Sequence, residues 1–290
     1  MTEAWPEAPC TLAQLQSWLH SQSGLPALEV RMLLMQALQF SRTELMTRDH
    51  TTLEAPQLAQ VRSLIQRRCA GEPMAYISGE REFFGLPLQV NPAVLIPRPD
   101  TELLVELAAQ HAPNGGAVLD MGAGSGAIVL ALAHLRPDLQ LCALDASSAA
   151  LEVARANAAR LQQAGLLQNA PQFLLSDWFS ALPAHMRFAL IVSNPPYIAA
   201  DDKHLQQGDL RFEPAQALTD GADGLQDLRH IITHSPAWLE EGGWLLLEHG
   251  HQQAAAVRAL LQAHGFVQAQ SWRDLAGIER VSGACRAASR

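Results

Sequence analysis

Apolar residues recur at helical spacing through roughly the first quarter of the chain. Leu12, Leu15, Trp18 and Leu19 follow Thr11, whose hydroxyl suits a helix N-cap. The Leu25-Pro26 step breaks the pattern, and Leu28, Met32, Met35 and Leu38 resume it to about Phe40. Leu58, Val61, Leu64 and Ile65 mark a further amphipathic helix, which ends near Gly71 and Pro73. The spacing predicts a helical domain over residues 1–75.

Residues 76–98 have another texture. Phe83, Phe84, Leu86, Leu88, Val90, Val94 and Ile96 alternate with Gly85, Pro87, Pro92 and Pro97. Such a segment reads as a short hairpin and linker. Asp100 is placed to cap a helix from Thr101 to about His111. From Ala117 onward, short apolar runs alternate with helical ones. Strands are expected over 117–120, 140–144, 172–175, 188–192, 244–248 and 266–272. Helices are expected from the glycine loop to Leu135, from Ser147 to about Gln162, from Leu225 to Leu239, and from Gln252 to His264. Short strands joined by helical crossovers predict a parallel sheet covered on both faces, so residues 99–290 read as an α/β domain.

Composition narrows the function classes. The chain has 290 residues, 48% hydrophobic and 17% charged, a globular mix long enough for two domains. Its net charge of −9 argues against gripping nucleic acid by its phosphates. The longest apolar run, Ala127 to Ala133, is too short to cross a membrane. The opening MTEAWPEAPC carries Glu3 and Glu7 and no basic stretch, so no targeting peptide is expected and the reading is cytoplasmic. Cys10, Cys69, Cys142 and Cys285 are far apart with no CxxC pair, which indicates neither a zinc site nor a disulfide framework.

Three segments carry candidate chemistry. Asp120-Met121-Gly122-Ala123-Gly124-Ser125-Gly126-Ala127 lies between the first strand and its helix. Glycines let the backbone approach a ligand, and the helix that follows offers free N–H groups. Asp145, nineteen residues beyond Gly126, ends the second strand, where a carboxylate accepts hydrogen bonds from ribose hydroxyls. The loop alone fits either a dinucleotide dehydrogenase or an S-adenosylmethionine-dependent methyltransferase.

Asn194-Pro195-Pro196-Tyr197, directly after the fourth strand, separates the two. Two prolines fix φ and remove two donors, and Asn194 before a proline is pushed toward extended backbone. The resulting loop presents two acceptors, the Asn194 side-chain carbonyl and the Pro195 backbone carbonyl. Two acceptors match the two hydrogens of a planar NH₂ group, and Tyr197 can stack on its face. A delocalised amide or exocyclic amine is a poor nucleophile, and holding both hydrogens favours charge developing on its nitrogen. Such a loop suits nitrogen methylation, with Asn194, Pro195 and Tyr197 as catalytic candidates. The third segment, Ser176-Asp177-Trp178-Phe179, offers a carboxylate for an adenine amino group and a ring beside it, or else a plain helix cap. His230 and His234 are spaced for one helix face but lack the Glu of a zinc hydrolase, so packing roles are expected. His249 and His251 are read as caps of the next helix. Arg211 and Glu213 either shape a substrate entrance or form an ion pair.

With these residues in place, the chain resembles the protein-(glutamine-N5) methyltransferases that modify peptide chain release factors. The resemblance covers nearly the whole chain. It includes Ile96-Pro97-Arg98-Pro99-Asp100-Thr101-Glu102, the glycine loop, Asp145, SDWFSAL (176–182), IVSNPPYI (191–198), HLQQGDLRFEP (204–214) and LLLEHG (245–250). It implies a class I S-adenosylmethionine-dependent methyltransferase, a Rossmann-like α/β fold with a mostly parallel seven-stranded sheet and a small N-terminal helical domain that recognises the release factor. It places the cofactor at Gly122, Ala123, Gly124, Ser125, Gly126, Asp145, Trp178 and Asn194, to which the reading of the residues adds Asp177. It places the substrate amide at Asn194, Pro195, Pro196 and Tyr197, and requires no metal. The implied substrate is the glutamine of a Gly-Gly-Gln motif, and the implied co-product is S-adenosylhomocysteine. The sister enzymes that methylate a ribosomal-protein glutamine share these motifs, and adenine-N6 nucleic-acid methyltransferases share the Asn-Pro-Pro-Tyr loop. Met121 stands where the family usually carries Leu, a tolerable swap. The segment from Glu279 is small and polar where the family's last strand is apolar or aromatic, so the residues alone leave the last strand open.

Overall fold

The computed structural model describes residues 5–288; Glu3 of the targeting-peptide reading and the last two residues of the tail lie outside them. The chain divides into two compact units, Met1–Gly79 and Glu80–Arg290.

The first unit is helical. β1 (Cys10–Thr11) pairs antiparallel with β2 (Thr52–Leu53), around α1 (Leu12–Gln22), α2 (Ala27–Leu38), α3 (Arg42–Thr47), α4 (Ala55–Cys69) and α5 (Met74–Ser78). Thr11 caps α1 as its position suggests: Gln14 N donates to Thr11 Oγ1 (3.3 Å), and Thr11 N donates to Gln14 Oε1 (2.8 Å). Helix α3 escaped the periodicity because six residues hold too few turns to repeat. Its signal is the Ser41–Glu44 capping box, in which Ser41 N donates to Glu44 Oε2 (2.9 Å). Leu12, Leu15, Leu19, Leu33, Val61 and Ile65 are fully buried between the helices. Residues 76–78, expected in a linker, complete α5.

The second unit opens with a hairpin, β3 (Glu80–Phe83) and β4 (Leu86–Gln89). Phe84 and Gly85 turn it at φ of 53° and 76°, as tight hairpin turns demand. Then come α6 (Glu102–His111), β5 (Ala117–Met121), α7 (Ala127–Leu135), β6 (Gln140–Asp145), α8 (Ser148–Gln163), β7 (Gln172–Leu175), β8 (Phe188–Ser193), α9 (Gln226–His234), β9 (Leu239–Glu248), α10 (Ala254–Ala263), β10 (Phe266–Arg273) and β11 (Glu279–Arg286). Asp100 does not cap α6. It lies in a 3₁₀ turn, Pro99–Thr101, and faces Arg280 at 3.3 Å. Helix α9 stops at His234, short of the expected Leu239, because Pro236 lies in the 3₁₀ turn that follows.

Among the described residues the main sheet has seven strands in the order β10-β11-β9-β8-β5-β6-β7. The five strands from β9 to β7 are parallel, and β11 runs antiparallel between β9 and β10. This is the mostly parallel class I methyltransferase sheet. Chain order reverses direction at β5, which opens a crevice at the carboxyl ends of β5 and its neighbours. Alternate strand residues feed two cores. Val118, Leu190, Val192 and Leu246 pack with α6 and α7. Leu119, Ile191, Leu245 and Leu247 pack with α9 and α10. No helix among the described residues is long and apolar enough to cross a membrane.

The seventh strand exists because its residues are small. Ser282, Gly283 and Ala284 occupy its buried middle. A Cβ on Gly283 would lie 2.5 Å from Leu246 Cδ2, 2.6 Å from Leu245 O and 3.2 Å from the Trp272 ring. The neighbouring strands supply the bulk that this segment lacks. Gly283→Val therefore raises strand propensity yet overpacks the site. We expect a loss of about 1–3 kcal/mol, read as a lower melting temperature by about 2–4 °C per kcal/mol; no change in melting would refute the packing account.

Candidate active site

A cleft of about 260 Å³ opens at the carboxyl ends of the central strands, bounded by Gly122, Asp145, Asp177, Trp178 and Asn194. Its floor is the loop between β5 and α7. Gly122 and Gly124 line it with φ of +77° and +53°, and a Cβ on either would meet no protein atom within 4 Å. The added carbon would stand in the cleft itself, which is the use of glycine here. The loop is held from β6. Gly122 N and Ala123 N both donate to Leu144 O at 2.9 Å. Gly124 N donates to Asp145 Oδ2 (2.9 Å) and Ser147 N to Asp145 Oδ1 (2.8 Å). One bond to each oxygen orients the carboxylate and leaves further lone pairs for a ligand.

The rest of the loop turns inward. Ala123 and Ser125 are buried and do not line the cleft. Ser125 O accepts from Asn157 Nδ2 (2.9 Å), and the same buried amide exchanges hydrogen bonds with both main-chain groups of Gln89. Gly126 (φ +84°) is required by packing, since a Cβ there would lie 2.9 Å from Leu130 Cδ1 and 3.3 Å from Ala154 Cβ. Of the five loop residues expected to touch a cofactor, two line the cleft and three shape the turn.

Asp177 and Trp178 lie on the cleft wall. Trp178 has φ of +45°, rare for a bulky residue. Ser176 holds it there, its Oγ donating to Trp178 O (2.6 Å) and accepting from Ala181 N (3.0 Å). Asp227 on α9 also lines the cleft, and the sequence reading did not single it out. Burial, together with Asp220 and Asp177, pushes its carboxyl up to about 6.

Asn194 is shared by two cavities. Pro196 lines the main cleft with it, whereas Pro195 and Tyr197 line a neighbouring pocket of about 60 Å³ with Arg98 and Leu210. Asn194 Nδ2 donates to Thr101 Oγ1 (3.2 Å), which leaves its carbonyl as the acceptor. Tyr197 is not a free stacking ring: its phenol donates to Glu248 Oε1 (3.2 Å) and its carbonyl accepts from Gln253 Nε2 (3.0 Å). Burial and the nearby carboxylate push the Tyr197 phenol far up, so it stays protonated. Glu248 is itself buried and raised to about 7 by desolvation.

Two further expectations change. Glu213 pairs with Arg98, not with Arg211, and also accepts from Ile96 N (3.0 Å). His249 is no helix cap: its Nε2 lies 2.7 Å from Ser282 Oγ in the buried seam between β9 and β11. No group of three or more His, Cys, Asp or Glu among the described residues is arranged to hold a metal ion.

Asp120, beneath the loop, is fully buried. Its Oδ2 accepts from Val129 N (3.2 Å), while Oδ1 has no partner among the described residues. Desolvation pushes it up from 3.8 to about 7. For a raised acid, the stabilising protonated form is fully held below pH 4 and is lost as pH rises through about 7. Asp120→Asn removes that ionisation. We expect its melting temperature to gain on that of the parent protein between pH 5 and pH 8, and a constant difference would refute the assignment.

Comparison with known proteins identifies the family. Residues 11–79 match the PrmC N-terminal domain and residues 99–221 the methyltransferase small domain. The chain is 51% identical to the release factor glutamine methyltransferase of Burkholderia pseudomallei, over 95% of this chain and 96% of that one. It is also 51% identical to the release factor glutamine methyltransferase of Vibrio cholerae, over 90% of each. In fold it is similar to the crystal structure of a methyltransferase from Pyrococcus furiosus, with a TM-score of 0.53 at 16% identity over 79% of this chain and 98% of that one. The chain belongs to the release factor glutamine methyltransferase family.

Proposed function

We propose that this protein transfers a methyl group from S-adenosylmethionine to the side-chain nitrogen (N5) of the glutamine in the Gly-Gly-Gln motif of peptide chain release factors. One observation carries the reading: Asn194, an acceptor on a proline-stiffened loop, lines both the large cleft and the small pocket. Family membership supports the substrate class.

The cleft fits the cofactor by its donor set. Gly122 and Gly124 leave room for it, Asp145 keeps lone pairs for ribose hydroxyls, and Asp177 with Trp178 suits an adenine. When bound, S-adenosylmethionine supplies an electrophilic methyl group. The protein's part is to hold the acceptor. Asn194 Oδ1 and the Pro195 carbonyl take the two amide hydrogens, which orients the nitrogen and favours the positive charge it acquires. The Tyr197 ring, anchored by its phenol, forms a wall of the small pocket. No strong base is assigned, because the nitrogen becomes acidic only as it is methylated.

The partner expectations belong to the same proposal. Residues 1–75 recognise the release factor, 76–98 link, and 99–290 carry the chemistry, in the cytoplasm. Direct nucleic-acid binding is not expected of a chain with net charge −9.

The test is intact-mass analysis of a release factor incubated with enzyme and S-adenosylmethionine, beside its Gln→Ala variant and the ribosomal protein. One added methyl on the release factor alone is expected; methyl on the ribosomal protein alone overturns the assignment. Asn194→Ala should reduce turnover by about 10²–10³-fold, the usual loss when a preorganised transition-state contact is removed; near-normal turnover would sink its role. Asp145→Ala should weaken S-adenosylhomocysteine binding about tenfold or more by calorimetry, as loss of hydrogen bonds to a charged group implies, whereas equal affinity removes Asp145 from the cofactor site.

A further inference from the structure

Two segments that carry the family resemblance have no part in the chemistry above. One contains Thr101 and the other Glu248. Both side chains are almost fully buried, at 4% and 1% exposure. They meet behind Asn194.

We propose that Thr101 and Glu248 are positioning residues that decide which way the Asn194 amide faces. The inference rests on the reading of Asn194 as acceptor for the substrate amide. A carboxamide has an oxygen end and an NH₂ end of nearly the same shape, so neighbouring hydrogen bonds must choose its orientation. Here the choice propagates from the carboxyl group. Glu248 accepts from the Tyr197 phenol at Oε1 (3.2 Å), and the Thr101 hydroxyl faces the same carboxyl group. A hydroxyl carries one proton. With that proton turned to Glu248, Thr101 Oγ1 offers only lone pairs to Asn194, and it accepts from Asn194 Nδ2 at 3.2 Å. Flipping Asn194 would set Oδ1 against those lone pairs. The correct orientation therefore follows from the ionised form of a carboxyl group two contacts away. The same Glu248 holds the Tyr197 side chain, while Gln253 Nε2 holds the Tyr197 carbonyl at 3.0 Å. The end of β9 and the start of α10 thus grip Tyr197 at both its polar groups.

The experiment compares Thr101→Val and Thr101→Ser in the full-length protein. Valine keeps the shape and removes the hydroxyl; serine keeps the hydroxyl. Thr101→Val should lower kcat for release-factor methylation by about 10–100-fold, the scale of a misoriented contact. Affinity for S-adenosylhomocysteine should stay within about twofold, and Thr101→Ser should recover most of kcat. A readout independent of turnover is the Asn194 side-chain amide signal in isotope-labelled protein, identified by its loss in Asn194→Asp. It should move in Thr101→Val and not in Thr101→Ser. Normal turnover in Thr101→Val, equal damage by serine and valine, or an unmoved Asn194 signal each overturns the proposal. Should the parent protein methylate no release factor, the functional reading fails, and the Asn194 signal alone then decides whether Thr101 sets its orientation.

Discussion

An amide can be recognised by another amide only when donors meet acceptors, and in a stiff loop there is no second chance to adjust. Asn194 follows directly on β8, a strand buried along its whole length, and precedes two prolines. Its backbone has little freedom, because the residue before proline is confined to extended conformations. Its side chain is then committed by the bond from Nδ2 to Thr101. What remains is a single carbonyl oxygen on a residue that lines two cavities, which is what the proposed transfer needs.

The surroundings of that oxygen are costly in stability. Asp120 and Glu248 are both buried, each with one carboxyl oxygen that lacks a hydrogen-bond partner among the described residues. Both are pushed up to about 7 by desolvation. Buried, half-satisfied carboxyl groups destabilise a domain, and they concentrate where function requires them. They sit under the glycine loop and under the Asn-Pro-Pro-Tyr loop, the two loops that bound the cleft. The apolar cores on both faces of the sheet offset this cost, since both are built from residues that are almost wholly buried.

The two units differ in how they are held. The helical unit relies on capping boxes at Thr11 and Ser41 and on a leucine-rich interior. The sheet unit relies on strand order, and its least obvious strand is the antiparallel β11. That strand carries small residues because Leu246 and Trp272 already fill the space around Gly283. The same seam accommodates buried His249 against Ser282, a contact invisible at the level of spacing.

Hydrophobic periodicity alone determined most of the α/β layout, since strands buried on both faces must be apolar and their crossovers must be amphipathic. Glycine, proline and carboxylate positions in local order also sufficed to mark the cleft, because turns and strand ends are local constraints. Residues 282–284 and helix α3 were not legible, one because its bulk comes from other strands and the other because six residues show no period. Nor could spacing reveal that Glu213 joins Arg98, that Ala123 and Ser125 turn inward, or that Thr101 and Glu248 meet behind Asn194. Those pairs are separated by up to 147 positions. Only the packed sheet brings them within hydrogen-bond reach, and hydrogen bonds act over about 3 Å whatever the distance along the chain.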